Sequence, residues 1–170
     1  GITDEVSGIS PLPAAKTEVE TITSKVLQGN SFLNQLFTVD NFKSQAQDNS
    51  KNYGIVHLAT HAEFLGDRFS DSYIQLWNDR FKVSNLRGMR LNVEMLTLSA
   101  CETAVGKNLG IGGTAVDSGA KSVLASLWPV SDFGTAALMI RFYSGFQTAP
   151  SKAIALARAQ RAMIRGQLKI

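Results

Sequence analysis

Three stretches of this chain are apolar almost without a break. Tyr53–Ala59, Glu94–Ser99 and Ser122–Leu127 are rich in Ile, Val and Leu and lack strict alternation. That is the pattern of strands buried on both faces of a parallel sheet. Between the first two, Tyr73-Ile-Gln-Leu-Trp77, Asn78-Asp79 and Arg80-Phe-Lys-Val83 spell a hairpin around a tight turn. Helical spacing occupies much of the remainder. After Pro11 and Pro13, Val19, Ile22 and Val26 recur at helical intervals through Ala14–Gln28, and Gly29 stops that helix. Ser31–Phe37 suits a short strand better than a helix. Thr38 and Asp40 can cap a short helix to Gln47, followed by a turn at Asp48-Asn49-Ser50. Ser84 can cap another to Met89. Gly106–Gly113 is a Gly-rich loop that leads into a helix over Thr114–Ser118. Asp132 is the expected N-cap of a helix to Phe146. Pro150-Ser151 opens a last helix to Ile164, with Ala153, Leu156, Ala159 and Met163 as its apolar stripe. Strands alternating with helices predict an α/β fold, a three-layer sandwich with a mostly parallel central sheet and an added hairpin.

Composition agrees with one domain over residues 11–168. The chain has 170 residues, 44% of them hydrophobic, enough to bury a core without disulfide or metal staples. Residues 1–10 are polar and rich in Gly and Ser, the composition of a disordered lead-in or of a remnant left by a cut. Gly1 stands where an initiator Met would be, so a domain excised from a longer protein is expected. No run approaches the roughly 18 apolar residues of a membrane span, and no signal-peptide pattern opens the chain. A single cysteine, Cys101, excludes an intrachain disulfide and an all-cysteine zinc site. It fits a reducing, cytoplasmic setting. The net charge of +3 hides an asymmetry: after Asp132 there is no acidic residue, while Arg141, Lys152, Arg158, Arg161, Arg165 and Lys169 follow. No aromatic residue for base stacking follows Phe146, so the basic end reads as a solvated helix face rather than a nucleic-acid surface.

Two strands end in reactive side chains: Ile55-Val-His-Leu-Ala-Thr-His61-Ala62 and Leu96-Thr-Leu-Ser-Ala-Cys101-Glu-Thr103. Ligands of open parallel sheets bind outside the carboxyl ends of the strands. If these strands are neighbours, His61 and Cys101 emerge side by side. A thiol with a pKa of about 8.5 needs a nearby base to attack as thiolate, and the same imidazole can protonate the leaving group. The backbone N–H groups of Ala62 and Cys101 are candidate oxyanion donors. His57, inside its strand, reads as a hydrogen-bonded core histidine. Other chemistries fit less well. His57 and His61 have the spacing of a helical zinc motif, but Leu58 stands where a zincin carries Glu, and on a strand they lie about 13 Å apart. No Gly-x-Ser-x-Gly elbow occurs, and no Gly-Lys-Ser/Thr follows the Gly-rich loop. No metal and no cofactor are expected.

The segments His57-Leu-Ala-Thr-His61-Ala62, Leu98-Ser-Ala-Cys101-Glu-Thr103, the Gly119–Val130 block with its Leu127-Trp-Pro-Val130, and Arg141-Phe-Tyr143 resemble the CHAT domain, a bacterial relative of the caspases. The resemblance spans residues 11–168. It implies a caspase-like (clan CD) fold and a cysteine endopeptidase acting on protein or peptide substrates, with His61 as base and Cys101 as nucleophile. It leaves His57 structural. It also implies flanking tetratricopeptide or other regulatory segments. Caspases have Gly after the histidine and Gln-Ala-Cys at the nucleophile, where this chain has Ala62 and Ser99-Ala-Cys101. The alternative is a catalytically silent interaction module. Asp67, Glu102, Trp128 and Asp132 fall near strand ends and are candidate substrate-pocket residues. With Glu63 also acidic and Arg68 the one guanidinium nearby, the expected preference is a basic or neutral residue before the cut rather than Asp.

Overall fold

The computed structural model describes residues 1–6, 8–47, 54–99 and 110–168. The three apolar runs form a parallel sheet. Its strands are β1 (Ile55–Ala59), β5 (Met95–Ser99) and β6 (Val123–Ala125), in the order β1-β5-β6. Register runs from Ile55↔Met95 to Ala59↔Ser99 and from Leu96↔Val123 to Leu98↔Ala125. Alternate side chains feed two cores. Leu58, Leu96 and Leu98 pack with Phe42, Phe81 and Ile111 on one face, and Met95 packs with Met139, Phe142 and Tyr143 on the other. Burial on both faces explains the unbroken apolar runs and the missing alternation. The expected hairpin is present as β3 (Tyr73–Gln75) and β4 (Arg80–Lys82). It extends to a second small sheet through β2 (Ala62–Glu63), in the order β2-β3-β4.

Helices cover both faces. On one side lie α1 (Pro13–Thr21), α4 (Asp132–Phe146) and α5 (Lys152–Ile164). On the other lie α2 (Val39–Ala46), α3 (Gly110–Asp117) and the hairpin. The sandwich read from the sequence is therefore the fold. At Gly119 the chain needs glycine: φ is +110°, and a Cβ there would fall 2.4 Å from the Leu91 carbonyl oxygen. That close crossing lets Leu91 donate its N–H to Ser118 just ahead of β6.

Several local expectations fail for physical reasons. The first helix widens after Thr21 into a π-turn, Ile22–Val26, closed by Leu27 N–H to Ile22 C=O. Ser31–Phe37 is no strand. Asn34 adopts φ +48°, which an Asn tolerates, and only a 3₁₀ turn (Asn34–Leu36) forms. Ser84–Met89 becomes a 3₁₀ segment, Val83–Gly88. The Gly-rich stretch is already helical from Gly110, and its residues 106–109 lie outside the described residues, as does the turn at 48–50. Ser131, not Asp132, caps α4, its Oγ accepting from Gly134 N–H. On α5 the buried stripe is Ala155, Ala159 and Ala162, whose small size lets α5 sit close to α4, while Met163 is half-exposed. The lead-in is packed rather than frayed. Ile2 is fully buried, Thr3 and Val6 nearly so, and Ile2 donates to Ala59 C=O at 2.9 Å. Its polar composition hid three residues that face the core.

Candidate active site

His61 stands two residues beyond the carboxyl end of β1. Thr60 fixes it there. The Thr60 N–H continues the parallel ladder to Ser99 C=O (3.2 Å), and its hydroxyl donates to Gln75 C=O (2.6 Å). Thr60 thus ties the parallel sheet to the hairpin at the point where the chain passes between them. Gln75 N–H then donates to His61 C=O at 2.8 Å. This makes His61 and Gln75 a hydrogen-bonded antiparallel pair and Ala62 and Ile74 the following non-hydrogen-bonded pair. The Ala62 N–H consequently points away from β3.

The imidazole of His61 is half-buried, and its Nε2 lies 2.8 Å from the carbonyl oxygen of Ser10. A carbonyl only accepts, so Nε2 carries a hydrogen, and in the neutral ring the lone pair falls on Nδ1. Sequence reasoning missed this partner because it sits in the segment dismissed as disordered. Its signal was weak but present: Ile2 and Val6 are apolar residues in an otherwise polar stretch. Asn34 holds the same segment in place. Its side-chain amide donates to Thr3 Oγ1 and Asp4 Oδ2 (2.8 Å each), and its carbonyl oxygen accepts from Thr3 N–H (2.8 Å).

His57 has a different setting. It faces α1 and α4, with Nδ1 3.2 Å from the Tyr143 hydroxyl and Nε2 2.9 Å from the Glu18 carboxylate. The latter contact is close but lacks the alignment of a hydrogen bond. Tyr143 in turn lies 2.7 Å from Thr97 Oγ1. Burial pushes the Tyr143 phenol well above its ordinary range, so it stays protonated. These residues lie beneath the sheet, away from its carboxyl end, and the reading of His57 as a core histidine agrees with that place.

The remaining candidates divide. Cys101 and Glu102 lie outside the described residues, as does the side chain of Asp67. The strand register carries a constant offset, Ile55 to Met95 through Ala59 to Ser99, equal to the separation of His61 and Cys101 in the chain. Asp132 is otherwise employed: its Oδ2 accepts from Ala14 N–H at 2.8 Å, closing the start of α1, which lacks a side-chain cap of its own. Trp128 does not fill the core edge. It is 65% exposed beside Leu127 as the chain leaves β6. Glu63 is exposed and its carboxylate helps raise the Tyr73 phenol above its ordinary range, behind the larger effect of burial, while Arg68 faces Asp71 at 3.8 Å. Among the described residues no three His, Cys, Asp or Glu side chains cluster as a metal site, and no helix is long and apolar enough to cross a membrane. The CHAT domain family model matches residues 3–169. No curated protein matches the chain.

Proposed function

The chain belongs to the CHAT domain family, a caspase-like, peptidase-related family, and from that premise we propose that it is a cysteine endopeptidase with His61 as general base and Cys101 as nucleophile. The observation that carries this reading is the His61 ring, its Nε2 held by Ser10 and its Nδ1 without a hydrogen-bond partner among the described residues, at the carboxyl end of a strand whose register offset matches the His61–Cys101 spacing. A base oriented by a third group is the usual companion of a nucleophilic thiol.

In this mechanism Nδ1 takes the Cys101 thiol proton and the sulfur attacks the scissile carbonyl. The tetrahedral oxyanion is received by the Ala62 and Cys101 N–H groups. His61 then gives its proton to the departing amine, leaving a thioester. Water, deprotonated by the same nitrogen, hydrolyses the thioester and restores the thiol. No cofactor enters. Exposed Trp128 offers a flat apolar surface to substrate side chains. With Asp132 committed to α1, the acidic candidates for a basic or neutral preference are Glu63, Asp67 and Glu102. A reducing cytoplasm, with regulatory segments such as tetratricopeptide repeats beside the domain, is the setting in which the thiol would work.

Two measurements test the proposal. Cleavage of a peptide library is expected to disappear in Cys101→Ala and His61→Ala while the fold is kept. Iodoacetamide is expected to alkylate Cys101 with an apparent pKa well below 8.5, and His61→Ala to return it toward that value. Alkylation no faster than that of an ordinary thiol, with no cleavage by the wild type, would establish the silent interaction module instead.

A further inference from the structure

A groove of about 300 Å³ lies between α4 and the end of α5. Ala137 and Ile140 line it from α4, Ala162 from α5, and Leu168 from the chain beyond. Gly166, with φ +64°, folds that chain back onto the helix. It donates its N–H to Met163 C=O, and Gln167 donates to Ala162 C=O. This pair of bonds is the helix ending that a left-handed glycine allows. The small side chains at Ala137 and Ala162 leave the apolar floor open.

The rim of the groove is cationic. Arg141 lines it from α4. On α5, Arg158 and Arg165 stand at i−4 and i+3 from Ala162, hence on its side of the helix, with Arg161 beside them. Arg165 is the C-cap, and its N–H still bonds Arg161 C=O, so the row runs unbroken to it. All four arginines are exposed, and none forms an ion pair among the described residues. No acidic residue follows Asp132 to neutralise them. The negative end of the α5 dipole accounts for Arg161 and Arg165, but not for Arg158 or for Arg141 in the body of α4. Arg158 and Arg161 at i, i+3, and Arg161 and Arg165 at i, i+4, are like-charge pairs that oppose the helix carrying them. Folding alone gives no reason for this row, whereas carboxylates brought to it relieve the repulsion.

We propose that this flank of α4 and α5 docks an acidic amphipathic helix of a partner protein. The partner seats an aliphatic side chain in the groove and sets carboxylates against Arg141, Arg158 and Arg165. The four cations are all guanidiniums, whose paired N–H donors match a carboxylate. Along α5 their Cα positions are about 4.5 and then 6 Å apart, the intervals at which Glu recurs on one face of a second helix. A strand, with like-facing residues about every 6.6 Å, matches only the second interval. The apolar floor calls for an aliphatic side chain, which nucleic acid lacks, and no aromatic residue follows Phe146 to stack on a base. A second copy of the chain does not supply the occupant, because among the described residues no helix carries three carboxylates. The surface holds whether or not Cys101 reacts.

The test titrates the full chain into a labelled helical peptide of about 20 residues, with Glu at i, i+3 and i+7 and Leu on the adjoining face. Fluorescence anisotropy is expected to show saturable binding that weakens as salt rises. Arg158→Glu/Arg165→Glu is expected to weaken it about tenfold or more, each exposed pair contributing a factor of a few. A peptide with Lys in place of Glu is expected to bind that variant and not the wild type. Serine in place of the leucines is expected to weaken binding to the wild type. Circular dichroism checks that the variant folds; if it does not, Arg158→Gln/Arg165→Gln decides by the same loss of Glu-peptide binding. No binding by the wild type, undiminished binding by the folded variant, or equal binding of a peptide with Gln in place of Glu overturns the surface. Tighter binding of duplex DNA or of anionic vesicles than of the Glu peptide, lost in the same variant, overturns the polypeptide partner and assigns the row to phosphates.

Discussion

Tyr143→Phe separates the two histidines experimentally. The Tyr143 ring is 1% exposed, and its hydroxyl meets both Thr97 Oγ1 and His57 Nδ1. Phenylalanine keeps the ring, so the ring contacts with Phe142 and His57 survive and no cavity of consequence opens. What is lost is the partner of two buried polar groups. A buried group left without its hydrogen bond costs about 1–3 kcal/mol, and the groups share one hydroxyl, so the expected loss is about 2 kcal/mol. Urea unfolding at pH 7 should show it as a lower midpoint at unchanged slope, and thermal unfolding as a fall of about 4–8 °C. Thr97→Val alone should cost about 1 kcal/mol, and the double variant less than the sum by about 1 kcal/mol, because removing both partners leaves fewer orphans. The pH dependence is also fixed in sign. The folded phenol titrates above its ordinary value of 10.0, so above that pH the unfolded chain loses a proton that the folded chain keeps. Wild-type stability then falls, and its advantage over Tyr143→Phe shrinks by up to about 1.4 kcal/mol per pH unit. A variant within 0.5 kcal/mol of wild type, or additive single and double effects, would refute the buried network.

The other predictions are briefer. Gly119→Ala should lose about 2–4 kcal/mol in denaturant titration, from a disallowed φ together with the contact on Leu91 C=O. Asp132→Ala should lose about 1 kcal/mol by uncapping α1 while leaving any cleavage preference unchanged; an altered preference would return Asp132 to the substrate pocket. Asn34→Ala removes the latch on Thr3 and Asp4 and puts alanine at positive φ, for an expected loss of about 1–3 kcal/mol. If the Ser10 carbonyl orients His61, that variant should also lower peptide turnover measured well below its unfolding temperature.

Of the proposed site, the sequence and the described strands share one thing, a spacing. His61 and Cys101 follow apolar runs at a common spacing, and the register of β1 and β5 reproduces that spacing. His57 was legible as a core residue because an imidazole inside a run of Ile, Val and Leu must find partners. The identity of those partners was not. Glu18 and Tyr143 come from helices distant in the chain, and no local pattern marks a residue for a hydrogen bond across a sheet. Asp132 shows the same limit from the other side. A carboxylate at a helix start looks like that helix's own cap, but here Ser131 does that work and Asp132 reaches α1.

By itself, the sequence determined the elements whose burial repeats along the chain: the parallel strands, the hairpin and the long helices. Periodicity records burial directly, so these needed no knowledge of neighbours. Tertiary structure decided the rest. It packed a polar lead-in against β1 through Ile2, gave His61 its acceptor, and kept Ser31–Phe37 from forming a strand through the left-handed turn at Asn34. Each of these depends on a few contacts between segments far apart in the chain, and a local pattern carries no trace of them.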